Sequence, residues 1–188
     1  MRKLWLLMNV SLDGYFEGLG HDISWSKDTD FEAFSSEPSN EEGVGTFLLG
    51  RKTYEMIRDF WTTPQAQEIA PEIAKVLNET PKVVVSHNKS FEPGWHNAMV
   101  ISDHVAGAVK KLKEQPGKSI AMFGSNTLCV SLMQEGLVDE FRLVVSPVAL
   151  GEGTSLFKGL PKKAELTLTK TRKFKSGPIM LTYQPVDR

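Results

Sequence analysis

The 188-residue chain is 40% hydrophobic and 24% charged, with 22 Lys+Arg against 23 Asp+Glu and a formal net charge of -1. This is the composition of one ordinary globular domain spanning 1–188, and it excludes disordered, collagen-like and disulfide-framework proteins. No basic stripe is present for nucleic acid or an anionic membrane, and the single cysteine, Cys129, cannot form an internal disulfide, which suits a reducing cytoplasm.

The start, Leu4-Trp5-Leu6-Leu7-Met8, resembles a signal segment only superficially. Asn9 and Ser11 interrupt it, Asp13 closes it, and no small-residue cleavage pattern follows. It reads as a strand near 3–11, buried on both faces and ending at the turn pair Asp13-Gly14. A polar stretch leads to a helix expected around 28–36, with Phe31 and Phe34 on one side and Asp30 beside them.

Thr46 to Gly50 is a second buried strand, and Arg51-Lys52-Thr53-Tyr54-Glu55-Met56 follows directly as helix. Thr62 or Thr63 can cap the next helix, with Pro64 early in it; Pro71 must interrupt or restart that helix. Strands are expected at 82–86 and 98–101, then a helix capped by Asp103 and ended by Pro116-Gly117. Ser119 to Phe123 is the fifth strand. It feeds Gly124-Ser125-Asn126 and a helix stopped by Gly136. Glu140 to Ser146 is the sixth strand, and the segments near 165–173 and 178–184 form an antiparallel pair. The sum is an α/β domain with one mainly parallel sheet of about eight strands flanked by helices and closed by C-terminal antiparallel strands. That late edge is a candidate homodimer surface.

In open α/β sheets, ligands sit beyond the carboxyl ends of the strands. At Gly50-Arg51-Lys52-Thr53 a buried strand passes into a helix through glycine. Unpaired helix-start N–H groups and the dipole favour an anion there, and a charge-assisted contact contributes about 1.5–3 kcal/mol. The alternative is a tight turn with solvated cations. Gly124-Ser125-Asn126-Thr127 repeats the device, as a pyrophosphate turn or as a plain helix cap. Ser86 to Ser90 adds hydroxyls and a cation past the third strand, unless it is simply a hydrophilic loop. Two such strand ends suit a dinucleotide better than either does alone.

Other signatures are missing. No G-x-G-x-x-G follows a strand, and there is no G-x-S-x-G elbow. His21, His87, His96 and His104 lack metal-ligand spacing, so no metal is expected. Cys129 reads as a small buried hydrophobe.

Four pieces in order are Val10-Ser11-Leu12-Asp13-Gly14-Tyr15-Phe16, Leu49 to Glu55, Phe123-Gly124-Ser125 and Leu150 to Phe157. Together they resemble the dihydrofolate reductase superfamily, most of all the reductase domain of the bifunctional riboflavin-biosynthesis deaminase-reductase. The resemblance implies an NADPH-dependent oxidoreductase acting on a pyrimidine- or pterin-like heterocycle. It assigns Gly50, Arg51, Lys52 and Thr53 to the adenine-side phosphates and Ser86 to the 2′-phosphate. Gly124, Ser125, Asn126, Thr127 and Leu128 fall on the pyrophosphate turn, where the family usually has a second glycine in place of Ser125. Asn9, Val10, Ser11 and Asp13 fall on the floor between nicotinamide and substrate, and Asp13 or Asp30 is the expected proton-handling carboxylate. Thr80 stands where folate reductases carry an arginine, which weighs against a folate reductase proper. The rival reading is a nucleotide-binding dimer without turnover.

Overall fold

The computed structural model describes residues 1–26 and 43–186. The chain runs through β1 (Leu4–Val10), β2 (Tyr15–Glu17), β3 (Val44–Gly50), α1 (Arg51–Trp61), α2 (Pro64–Ile69) and α3 (Pro71–Glu79). It continues through β4 (Lys82–Val85), β5 (Ala98–Ile101), α4 (Val105–Glu114), β6 (Ser119–Met122), α5 (Asn126–Gln134) and β7 (Glu140–Val145). It closes with β8 (Thr154–Ser155), β9 (Leu166–Lys173) and β10 (Ile179–Pro185). The main sheet has eight strands in the order β5-β4-β3-β6-β1-β7-β10-β9. The six from β5 to β7 pair in parallel, and β10 runs antiparallel to both neighbours. The helix expected around 28–36, with Asp30, lies outside the described residues.

The eight expected strands are all in this sheet: β1, β3, β4, β6 and β7 are runs of aliphatic and β-branched residues mostly buried in it, while the edge strands β5 and β9 are largely exposed. Leu4, Leu6 and Val10 of β1 join Leu48, Val83, Ile120 and Met122 on one face, packed on Val109 of α4 and Leu128, Cys129 and Leu132 of α5. Trp5, Phe47, Leu49, Val84 and Ala121 form the other face, against Tyr54 of α1 and Ile73 and Leu77 of α3. Each fully buried side chain of this kind contributes about 1.5–3 kcal/mol. The Cys129 thiol lies inside the first cluster, where burial pushes it up to about 12, so it packs as a hydrophobe.

The local punctuation follows the sequence at most points. The Thr63 hydroxyl caps α2 by accepting from Ala66 N–H at 3.3 Å, Pro71 opens α3, and Gly136 leaves α5 at φ 65°. One cap differs. His104, not Asp103, sits at the N-cap of α4 in a left-handed conformation (φ 49°), and the Asp103 carboxylate instead pairs with Lys89 Nζ at 2.9 Å. A second, two-stranded sheet of β2 and β8 was not expected, since three and two residues are too few for an alternating pattern. Gly153 makes it possible: a Cβ there would run into the Glu17 carbonyl oxygen.

Buried charges gather at the edge where the parallel strands start. Arg2 donates to the Lys118 carbonyl at 2.6 Å and to Thr46 Oγ1 at 2.7 Å, joining the β3 and β6 starts. Asp139 Oδ2 accepts from Leu4 N–H at 2.7 Å and from Lys113 Nζ at 2.6 Å, holding β1, the lead into β7, and α4 together. Burial alone would raise the Glu140 carboxyl, yet hydrogen bonds and charge from Lys3 and Arg142 outweigh it and hold the group below its ordinary value. Arg142 also lies 4.2 Å from the centre of the Trp5 ring, a cation–π contact. These contacts pin the strand starts, while the opposite edge carries the loops. No helix among the described residues is long and apolar enough to cross a membrane.

Lys82, at the start of β4, is 1% exposed. It donates to the Asn78 carbonyl at 2.8 Å and lies 4.1 Å from the Trp95 ring centre. Burial pushes its ammonium down from 10.5 to about 8. Between those values the unfolded chain binds more protons than the folded one, so this group makes stability rise with pH over that window. Lys82→Met should flatten the rise. Urea midpoints for both proteins at pH 7.5 and 9.5 check it, and an unchanged slope in the variant would contradict it.

Candidate functional site

The site is built where β3 and β6 end side by side. Gly50 N–H donates to the Gly124 carbonyl at 3.1 Å, so both strand-to-helix turns open at one place on the carboxyl edge. Gly50 is the N-cap of α1 and Ser125 the N-cap of α5, and neither has a side-chain cap. Neither helix has an acidic residue in its first turn. Two positive helix ends therefore converge with their first N–H groups uncovered by side-chain caps, an arrangement that favours anions.

Glycine is required at both turns for different reasons. A Cβ on Gly50 would lie 3.0 Å from Ser125 Oγ and 3.1 Å from Ser125 N, so a side chain would push the two turns apart. Gly124 is buried at φ 109°, and a Cβ on it would meet Met8 Cε at 3.0 Å and Thr53 Oγ1 at 3.4 Å. Met8 of β1 and Thr53 of α1 thus border the same turn. The Gly124–Ser125 peptide is cis.

The expected phosphate residues divide into three groups. Gly50, Arg51, Lys52, Thr53, Gly124, Ser125, Asn126 and Thr127 are gathered at the joined turns. Arg51 pairs with Glu55, its Nη1 donating to both carboxylate oxygens at 3.0 and 2.9 Å, and its guanidinium lies 6.0 Å from the Phe91 ring centre. Lys52 and Thr127 are exposed, Asn126 is half-buried, and Ser125 Oγ and Thr127 Oγ1 are hydrogen-bonded at 2.8 Å. Ser86 follows Val85, which pairs in register with Gly50, so it lies on the far side of β3 from Gly124. Its hydroxyl is buried and closes its own turn, accepting from Asn88 N–H at 3.1 Å. Leu128 points into the core below the turn at 6% exposure.

The β1 end has its own construction. Val10 is buried in the core and Asn9 is half-buried opposite Val144 of β7. Ser11 donates its hydroxyl to Asp13 Oδ1 at 2.6 Å and accepts from Tyr15 N–H at 2.9 Å. The Asp13 carboxylate also accepts from Leu150 N–H at 3.1 Å and Gly151 N–H at 2.7 Å. The Ser11 hydroxyl, then the Gly151 amide, bring Asp13 down to about 2. An acid so stabilised as carboxylate holds two loops together and is badly matched to donating a proton near neutrality. Asp30 lies outside the described residues.

Met8, Glu55 and Phe91 border the site without having been singled out from the sequence. The Arg51–Glu55 spacing of four on a helix was the available signal for one of them. Among the described residues, no group of three or more His, Cys, Asp or Glu side chains could hold a metal ion.

Residues 2–180 match the family described as the RibD C-terminal domain. The chain belongs to that family. The uncharacterized protein YyaP of Bacillus subtilis (strain 168) is 31% identical over 185 residues, covering 97% of this chain and 94% of YyaP. A candidate riboflavin-biosynthesis protein of Shewanella sp. PV-4 superposes with a TM-score of 0.75 at 19% identity, over 98% of this chain and 99% of that one. Dihydrofolate reductase from Enterococcus faecalis, complexed with NADP(H) and RAB-propyl, superposes with a TM-score of 0.66 at 15% identity, over 98% and 97% of the two chains. These likenesses show a dihydrofolate-reductase-like fold for this RibD C-terminal domain.

Removing the Asp13 carboxylate should free the 148–153 loop. In Asp13→Ala, the Leu150 and Gly151 amides should exchange with deuterium at least about tenfold faster, while the main-sheet amides keep their protection. Unchanged protection at Leu150 and Gly151 would contradict the clamp.

Proposed function

We propose that this chain is an NADPH-dependent reductase that transfers hydride to a flat pyrimidine- or pterin-like heterocycle, of the kind reduced in riboflavin biosynthesis. The observation that carries this reading is the meeting of two uncapped helix starts across the Gly50–Gly124 hydrogen bond. A phosphate-bearing dinucleotide fits these residues: glycine at 50 lets the two turns close on each other, so that the helix starts present their backbone N–H groups side by side to an anion. Family membership and the NADP(H) complex of the folate reductase neighbour support a nicotinamide cofactor.

In this reading, the α5 start with Ser125, Asn126 and Thr127 holds the pyrophosphate. The α1 start with Arg51, Lys52 and Thr53 holds the adenine-side phosphates, with Arg51 toward the 2′-phosphate. A bound nicotinamide supplies the hydride. The chain's own work is to align donor with acceptor and exclude water. Asn9 at the end of β1 floors the substrate position, while Val10 packs into the core behind it. Asp13 acts through the loops it clamps, a positioning residue, and Asp30 is the remaining carboxylate for proton delivery. We also propose a homodimer joined through the exposed C-terminal edge strand β9, working in the cytoplasm on a small-molecule substrate.

One feature favours the reading without turnover: Ser125 Oγ stands where the resemblance expects a bare glycine, 3.0 Å from a Cβ position on Gly50. A folate reductase proper is disfavoured, since Thr80 only closes the end of α3. Nicotinamide fluorescence on titration with NADPH tests the cofactor. Saturable binding is expected, and Arg51→Ala should weaken NADPH about tenfold or more while changing NADH little. Equal loss for both would remove Arg51 from the 2′-phosphate, and no binding at millimolar NADPH would contradict the reading. Oxidation of NADPH against a panel of pyrimidines and pterins separates a reductase from a binder without turnover.

A further inference from the structure

We infer that Glu55 is a specificity-determining residue of the nucleotide site, weakening the hold of Arg51 on a second ribose phosphate and so limiting discrimination between the phosphorylated and unphosphorylated dinucleotide. The inference rests on the adenine-side reading of the α1 start.

Arg51 is the first residue of α1, and Lys52 follows it. Cations at a helix start oppose the macrodipole, and Arg preceding Glu by four is the weaker order of such a pair. Helix stability therefore does not account for this placement, whereas an anion at the turn does. Glu55 meets that guanidinium from one turn below. Both its oxygens contact Nη1, and among the described residues no hydrogen bond is made by Nη2 or Nε. The fork thus keeps donors for a ligand while carrying a carboxylate on its other edge. The two side chains are 40% and 31% exposed, so the pair stands open to solvent and ligand. Phe91, 6.0 Å away, lies against the same guanidinium and edge-on to Tyr54, which limits how far Arg51 can swing from Glu55.

A phosphate dianion reaching Arg51 meets the Glu55 charge as well. A 5′-phosphate held elsewhere in the cradle lacks that encounter. Glu55 thereby acts selectively on the additional phosphate, through Arg51.

Calorimetric titration at low ionic strength with adenosine 2′,5′-bisphosphate and adenosine 5′-monophosphate tests this without any turnover. Glu55→Gln should tighten the bisphosphate about three- to tenfold and leave the monophosphate within about twofold, whereas Glu55→Asp, which keeps the charge, should retain the wild-type ratio. An unchanged ratio in Glu55→Gln, with Arg51→Ala still selectively weakening the bisphosphate, overturns the role of Glu55 alone. Loss of both affinities in Glu55→Gln would mean it only props the helix, and overturns the inference too. If Arg51→Ala changes neither ligand, the adenine-side reading falls, and the inference with it.

Discussion

The hydrogen bond from Gly50 N–H to the Gly124 carbonyl is the constraint on which the site depends. Parallel strands β3 and β6 are neighbours, so their carboxyl ends arrive together, and each passes into a helix without a side-chain cap. Backbone dipoles that most helices satisfy with Ser, Thr, Asp or Asn are left for another partner. A single methyl group on Gly50 would press on Ser125, and Gly124 adopts a conformation that L side chains rarely take. Sterics, backbone conformation and electrostatics thus coincide at one spot.

The rest of the molecule divides its charges accordingly. Lys3 pairs with Glu140 and Lys113 with Asp139 at the strand starts, and Arg2 is held there by the Lys118 carbonyl and the Thr46 hydroxyl, because burial makes an unsatisfied charge costly. At the opposite edge Arg51 pairs with Glu55 and stays part-exposed, and the Ser86 hydroxyl closes its own turn. The Asp13 carboxylate there is consumed in joining the β1 end to the 148–153 loop. That leaves the loops around β1 ordered by a charged acceptor which stays ionised far below neutral pH.

The eight strands of the main sheet were legible because buried runs such as Phe47-Leu48-Leu49 and Val83-Val84 admit few other structures. The gathering of Gly50 with Gly124 was also legible, because parallel topology brings the ends of buried strands to one edge. What was not legible depended on long-range or very local geometry. The β2–β8 pair is too short to show a period. Asp103 has the right chemistry for a cap, but Lys89, on the loop before β5, takes its carboxylate. Ser86 offered a hydroxyl at a strand end, yet its own Asn88 amide is the nearer partner. The role of Asp13 turns on amides from residues 137 and 138 positions away, which no spacing rule reveals.

Backbone amide NMR during titration with NADPH tests the shared cradle most directly. The account predicts that the amides of Gly50, Arg51 and Lys52 and those of Ser125, Asn126 and Thr127 shift together along one saturation curve. Shifts confined to one turn, or grouped on another face of the sheet, would contradict it.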